Sequence, residues 1–288
     1  MTDGSSEHAG GFVIRGIRVP EWLYGTAWKA EATESLVYGA LTAGFRGVDT
    51  ANQRKHYDEA GVGQGLARAL QAGLRRDQLF VQTKFTHRGG QDHRLPYDAA
   101  APVGEQVAQS FASSLAHLGV NHLDSLVLHG PSLRDRLAPA DREAWRAMEA
   151  IADAGGAALL GISNVTAEQV GELVGLARIP PAFVQNRCYA QRGWDRAIRA
   201  ICRDHGIVYQ AFSLLTANRD VVAHRAVRAI AAHHGRTPAQ IIFRFARQVG
   251  MLPLTGTTRL EHMRADLAID EFALTADEIA VIEAAGET

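Results

Sequence analysis

Eight strand-like segments alternate with helix-like ones along this chain, and that alternation predicts an α/β protein built as a closed (β/α)8 TIM barrel. Two further observations favour closure over an open, doubly wound sheet. The spacing shows no midpoint linker, and no Gly-x-Gly-x-x-Gly lies between a strand and a helix. Gly61-Val62-Gly63-Gln64-Gly65 falls within or beside a helix and reads as a packing feature. One large barrel fits 288 residues, so residues 1–288 are expected to form a single domain, with 1–11 as a disordered tail.

Residues 12–18 should form a short N-terminal hairpin around Arg15-Gly16, ahead of the barrel. Short apolar runs place barrel strands at 22–27, 46–49, 79–84, 125–129, 157–162, 183–186, 207–212 and 251–254. Helices are expected at 33–43, 59–70, 105–118, 141–154 and 194–205, with two in succession at 221–233 and 238–249. Gly44 ends the first of these as a C-terminal glycine, and Pro238 suits the first turn of the last. Thr166-Ala167-Glu168-Gln169 opens a further helix with the threonine as N-cap. Extra C-terminal helices follow the last strand, ending with 275–285. The longest irregular stretch, 87–101, is rich in Gly, Pro, His and Asp; a loop of that length in a compact domain is usually a lid or binding loop.

Thirty basic residues face thirty-one acidic ones, so there is no electrostatic pull toward nucleic acid or an anionic membrane. No apolar stretch is long enough to cross a bilayer, and the polar, acidic start is unlike a secretory signal. Cys188 and Cys202 are too few for a disulfide framework. The expectation is a cytoplasmic protein, a monomer or weak homo-oligomer, whose partner is a small molecule.

Three of the apolar runs end on residues that move or steer protons: Asp49, Lys84 and His129, with Tyr57 following the first across a polar loop. Barrel strands bring their C-terminal ends to one common face. A phenol titrates near pKa ~10 and is a poor acid at neutral pH. Lys84 beside Tyr57 would stabilise the phenolate, and Asp49 would hold the lysine charged. His129 would orient a carbonyl or relay the proton. Such a group suits carbonyl reduction, in which hydride attacks carbon while the tyrosine protonates oxygen. An Asp–Lys pair alone can be purely structural. A rival reading is a metal-dependent barrel hydrolase using His87, Asp92 and His129; their irregular spacing argues against it, and no metal site is expected.

These residues carry a family resemblance. The chain resembles the aldo-keto reductases through Ala43-Gly44-Phe45-Arg46-Gly47-Val48-Asp49-Thr50-Ala51, Thr83-Lys84, Leu123-Asp124-Ser125-Leu126-Val127-Leu128-His129, Gly161-Ile162-Ser163-Asn164 and Val184-Gln185-Asn186. The resemblance implies an NADP(H)-dependent reductase of aldehydes or ketones, with NAD(H) as the second choice. It implies a tetrad of Asp49, Tyr57, Lys84 and His129, with Tyr57 as general acid. It assigns the nicotinamide carboxamide to Ser163, Asn164 and Gln185, and the stacked aromatic face to Phe212. Gly25, Thr26, Ala27, Asp49, Ser213, Leu215, Thr255, Gly256, Thr257, Thr258, Arg259, His262 and Asp266 complete the cofactor contacts. Trp28, His56 and Phe85 are expected to wall the substrate pocket.

Two departures stand out. Seven residues, Thr50 to His56, separate Asp49 from Tyr57, more than in many relatives, which makes His56 the rival proton donor. Gly256 and His262 stand where many relatives carry lysine and arginine for the adenosine 2′-phosphate. The longer loop also motivates an alternative of another class: a nucleotide-binding barrel that acts as a sensor or regulatory subunit with little turnover.

Overall fold

A computed structural model describes residues 11–286, so the tail expected at 1–11 lies, but for Gly11, outside the described residues. The hairpin is β1 (Phe12–Ile14) and β2 (Ile17–Val19), antiparallel, with Phe12 opposite Val19. Then β3 (Leu23–Gly25), α1 (Thr33–Ala43), β4 (Gly47–Asp49), α2 (Glu59–Gln71), β5 (Phe80–Phe85), α3 (Val103–Leu118), β6 (Leu123–Leu128) and α4 (Pro139–Asp153) alternate. The second half continues with β7 (Ala157–Ser163), α5 (Ala167–Leu176), β8 (Phe183–Arg187), α6 (Arg196–Asp204) and β9 (Val208–Phe212). Three helices follow, α7 (Arg219–Ala223), α8 (Arg225–His234) and α9 (Pro238–Gln248), before β10 (Met251–Thr255), α10 (Leu260–Leu267) and α11 (Ala276–Ala284).

Strands β3 to β10 run parallel in sequence order, and the barrel closes where Leu254 and Thr255 of β10 pair with Leu23 and Tyr24 of β3. The expected (β/α)8 barrel with its N-terminal hairpin and extra C-terminal helices is thus present. Side chains alternate along each strand, so every second residue points into the lumen. On β5, Phe80, Gln82 and Lys84 share the inward register, while Val81 and Phe85 join the large core between barrel and helices. At the N-terminal ends of the strands the lumen is filled by Leu23, Phe80, Leu159, Phe183 and Leu252. The Phe80 and Phe183 rings meet edge to face at 5.9 Å, and Phe12, Ile14 and Ile17 of the hairpin pack beneath this layer.

The glycine run in α2 is a packing device, as expected. A Cβ at Gly63 would come within 2.2 Å of the His117 carbonyl oxygen, and one at Gly65 within 2.8 Å of that of Glu34, so α1 and α3 approach α2 where it has no side chains. Thr166 caps α5 and Thr237 caps α9, each reciprocated by a glutamine three residues on. Two expected helices are broken. The 221–233 segment divides at His224, whose extended backbone (ψ 139°) separates α7 from α8 while its Nδ1 caps the second. The 194–205 helix starts only at Arg196, because Trp194 and Asp195 adopt φ values of 55° and 50°.

Candidate active site

The strand ends hold a fully buried cluster. Lys84 Nζ donates to Asp49 Oδ1 and Oδ2, both at 2.7 Å, and to the Thr50 carbonyl at 2.8 Å. That commits all three ammonium N–H groups. Asp49 Oδ1 also accepts from Gln82 Nε2 at 2.7 Å and Gln185 Nε2 at 3.0 Å. Gln210 ties these amides together: its Oε1 accepts from Gln82 at 2.8 Å and Gln185 at 2.9 Å, while its Nε2 donates back to Gln82 Oε1 at 3.0 Å. Asp49 therefore meets only donors, the surroundings a buried carboxylate requires.

Tyr57 hangs on the longer loop, yet it stands against this cluster. Its ring centroid is 5.4 Å from Lys84 Nζ and 5.8 Å from the His129 ring. The extra residues fold into a turn in which the Gln53 carbonyl accepts from the N–H groups of both His56 and Tyr57. Bonds to the 87–101 loop anchor that turn: Gln53 Nε2 donates to the Gly90 carbonyl at 2.6 Å, Gln91 Nε2 to that of Asn52 and Arg94 to that of Arg54, the last two at 2.8 Å. His56 instead lies against Trp28, ring centroids 3.9 Å apart, and lines the same cavity. The geometry thus brings Tyr57 against both Lys84 and His129. One expectation is reversed: burial first, and then Asp49, raise the Tyr57 phenol above its ordinary range, and Lys84 does not offset them. Asp49, paired to the ammonium at 2.7 Å, offsets the lysine charge at the phenol.

His129 closes β6, and its N–H donates to the Phe85 carbonyl at 2.8 Å. Burial, with the Lys84 charge second, pushes its imidazole down to about 3, so the ring is neutral at neutral pH. Thr86 Oγ1 lies 2.7 Å from its Nδ1.

A cavity of 690 Å³ opens over this face, lined by Tyr57, His129, Asp49 and Gln185 at one end and by Thr257, His262 and Asp266 at the other. Of the expected cofactor and pocket residues, Gly25, Ala27, Trp28, His56, Ser163, Asn164, Phe212, Ser213, Leu215, Thr255 and Gly256 also line it. Both N–H groups of Gln185 are spent on Asp49 and Gln210, which leaves its carbonyl as the free end. Asn164 likewise spends its amide on the His129 carbonyl and Ser163 Oγ. Free acceptors and the flat face of Phe212 on one cavity wall fit a carboxamide on an aromatic ring, so the lining suits a nicotinamide.

Four of the expected cofactor and pocket residues lie outside this lining, as does the expected catalytic Lys84, which is buried at 1% exposure. Phe85 is the clearest correction: it is 1% exposed and packs on Tyr97 and His87, because its neighbour Lys84 takes the inward register. Thr26 turns its hydroxyl to the Asp49 carbonyl at 3.0 Å. Thr258 is exposed, and Arg259 pairs with Glu261. The three residues of the rival metal reading take separate partners: His87 faces Asp141, Asp92 holds Arg94 and His129 holds Thr86.

Sequence reasoning missed Gln82, Gln210, Thr86, Arg187 and Lys29. Arg187 lies over the Phe212 ring at 5.8 Å. Lys29 Nζ donates to the Gly256 carbonyl, so an ammonium stands at Gly256 although the residue there carries none. A Cβ at Gly256 would meet only Gly25 O at 3.4 Å and Lys29 Nζ at 3.5 Å, so sterics do not demand glycine.

Comparison with known proteins agrees with this architecture. The profile of the Aldo/keto reductase family matches residues 21 to 287. An aldo-keto reductase of Mycolicibacterium vanbaalenii is 30% identical over 259 residues, covering 90% of this chain and 84% of that protein. The D-galacturonate reductase of Fragaria ananassa is 30% identical over 270 residues, covering 86% and 80%. Among solved structures, the Bombyx mori aldo-keto reductase in complex with NADP superimposes with a TM-score of 0.81 at 25% identity, covering 97% and 93%. The chain belongs to the aldo/keto reductase family, the NAD(P)H-dependent carbonyl reductases. Among the described residues, no helix is long and apolar enough to cross a membrane.

Proposed function

We propose that this chain reduces an aldehyde or ketone to an alcohol, with Tyr57 as the proton donor and His129 as the second contact to the carbonyl oxygen. The observation that carries the proposal is the edge-to-face pairing of Tyr57 and His129 at 5.8 Å, on the wall of a cavity that also presents the Gln185 carbonyl. Ser163, Asn164 and Gln185 would hold the carboxamide of NAD(P)H against Phe212, and the bound dinucleotide supplies the hydride. Tyr57 keeps its proton until negative charge develops on oxygen. An alkoxide is about as basic as hydroxide, whose parent acid has pKa ~15.7, so a phenol raised above its ordinary ~10 still gives its proton up downhill. Neutral His129 stabilises the same oxygen by hydrogen bonding. Lys84 and Asp49 act through position, as a fixed dipolar floor beneath the tyrosine.

NADP(H) is the first cofactor expectation. The supply of cations tempers it: Lys29 and Arg187 line the cavity, while Gly256 and the ion-paired Arg259 leave little for a 2′-phosphate. A cytoplasmic protein acting as a monomer or weak homo-oligomer belongs to the same proposal. The test is Tyr57→Phe, assayed on a carbonyl panel with fluorescence titrations of NADPH and NADH in parallel. Nucleotide affinity should stay within about twofold while turnover falls by roughly 10²–10⁴, the usual share of a general acid. Retention of most activity refutes Tyr57 and turns attention to His56. Tight binding by the wild type with no nucleotide oxidation on any carbonyl establishes the sensor alternative.

A further inference from the structure

A neutral imidazole has two tautomers, and they offer opposite faces to a carbonyl: one presents an N–H at Nε2, the other a lone pair. The fold of this chain chooses between them. Thr86, the residue after β5, is 5% exposed, and its hydroxyl lies 2.7 Å from His129 Nδ1. Among the described residues this nitrogen is the hydroxyl's sole hydrogen-bond partner. If Nδ1 carried the ring proton, the Thr86 O–H would have to point away, to no acceptor. A buried donor left unpaired costs about 1–3 kcal/mol. The hydroxyl proton therefore goes to Nδ1, and the ring proton sits on Nε2.

Both partners are fixed by the backbone around them. The Phe85 carbonyl accepts from the His129 N–H at 2.8 Å, and the Thr86 carbonyl accepts from the Tyr97 hydroxyl at 2.8 Å. The hydroxyl and the imidazole thus meet across β5 and β6 as a constrained pair rather than as two mobile groups. We propose that Thr86 is a positioning residue that locks His129 in its Nε2–H tautomer, so that the imidazole is a hydrogen-bond donor to the substrate oxygen. Burial keeps the ring from taking a second proton, which leaves the tautomer as its one degree of freedom. The proposal rests on the carbonyl-reduction reading, but its first measurement does not.

The experiment is nitrogen NMR of the 15N-histidine-labelled protein near pH 7.5, without nucleotide, for wild type, Thr86→Ser and Thr86→Val. Wild type and serine variant should show His129 protonated at Nε2, with Nδ1 unprotonated and hydrogen-bonded. In the valine variant the Nδ1 signal should move to its unbonded position and the Nε2–H form should cease to be exclusive. Turnover on a reducible carbonyl should fall about tenfold in Thr86→Val, worth ~1.4 kcal/mol, and return in Thr86→Ser, with nucleotide Kd unchanged in both. A wild-type His129 protonated at Nδ1 overturns the proposal, as does a folded valine variant with unaltered signals and turnover. If that variant does not fold, Thr86→Ala carries the same expectations. Absent turnover with the Nε2–H form intact overturns the function and upholds the tautomer, so the two failures are distinct.

Discussion

The floor of the site and its proposed proton donor are built in opposite ways. Asp49, Lys84, Gln82, Gln185 and Gln210 sit on strands β4, β5, β8 and β9 and bond to one another across the lumen. Each is placed by the barrel's own register. Tyr57 and His56 sit on a turn whose shape depends on Gln53 and on the 87–101 loop. The strands tolerate no slip, since one residue's shift would carry Lys84 out of the lumen. The turn absorbed added length and still delivered its tyrosine. The lesson is that strand positions fix which groups meet, while loop anchoring decides which loop residue joins them.

Breaking the floor should have the largest effect. Lys84→Met leaves Asp49 buried with amides as its donors and no counter-charge, a loss worth about 3–5 kcal/mol where a buried pair is halved. Denaturant midpoints should drop accordingly, and turnover should fall at least as far as in Tyr57→Phe. An unchanged midpoint would show that the pair contributes no net stability. Loosening the turn is the milder test of the other half. Gln53→Ala removes the bond to Gly90 and should lower turnover about three- to tenfold, because a single part-buried hydrogen bond is worth ~1 kcal/mol. A loss as large as that of Tyr57→Phe would mean that the Gln91 and Arg94 bonds cannot hold the turn without Gln53.

The smallest effect concerns the far end of the cavity. Burial raises the Asp266 carboxyl to about 7, although the Thr255 hydroxyl donates to it at 2.7 Å. The folded state then binds more protons than the unfolded chain between roughly pH 4 and pH 7. Stability must fall as pH rises through that window and level off above it. Asp266→Asn should flatten this slope, giving a higher thermal midpoint at pH 8 and little change at pH 4. A slope unaltered by the substitution would assign it to other groups.

Much of this was legible in the sequence, for a definite reason. Asp49, Lys84 and His129 each end an apolar run, and a parallel strand's C-terminal end is where a barrel keeps its functional polar groups. Gln82 and Gln210 were not legible because a glutamine inside such a run looks like a break in the pattern. The available signal was the period of two: Gln82 shares the inward register of Lys84, as Gln210 shares that of Phe212. Phe85 failed by the same rule, since it follows Lys84 and must face the helices. Lys29 and Thr86 escaped for another reason. Each acts on a residue far away in the chain, Gly256 and His129, and only the closed barrel supplies that proximity.

The hairpin beneath the barrel has a consequence for proton traffic. With Phe12, Ile14 and Ile17 under the layer of Phe80 and Phe183, the tube is a blind vessel, stoppered at one end. Lys84 has no uncommitted N–H with which to reload a spent phenolate. On the proposed mechanism, the proton that Tyr57 gives away would be replaced from the open end, by the same route that admits the substrate. Recharging and product escape would then share one doorway, framed by the rings of Trp28 and His56.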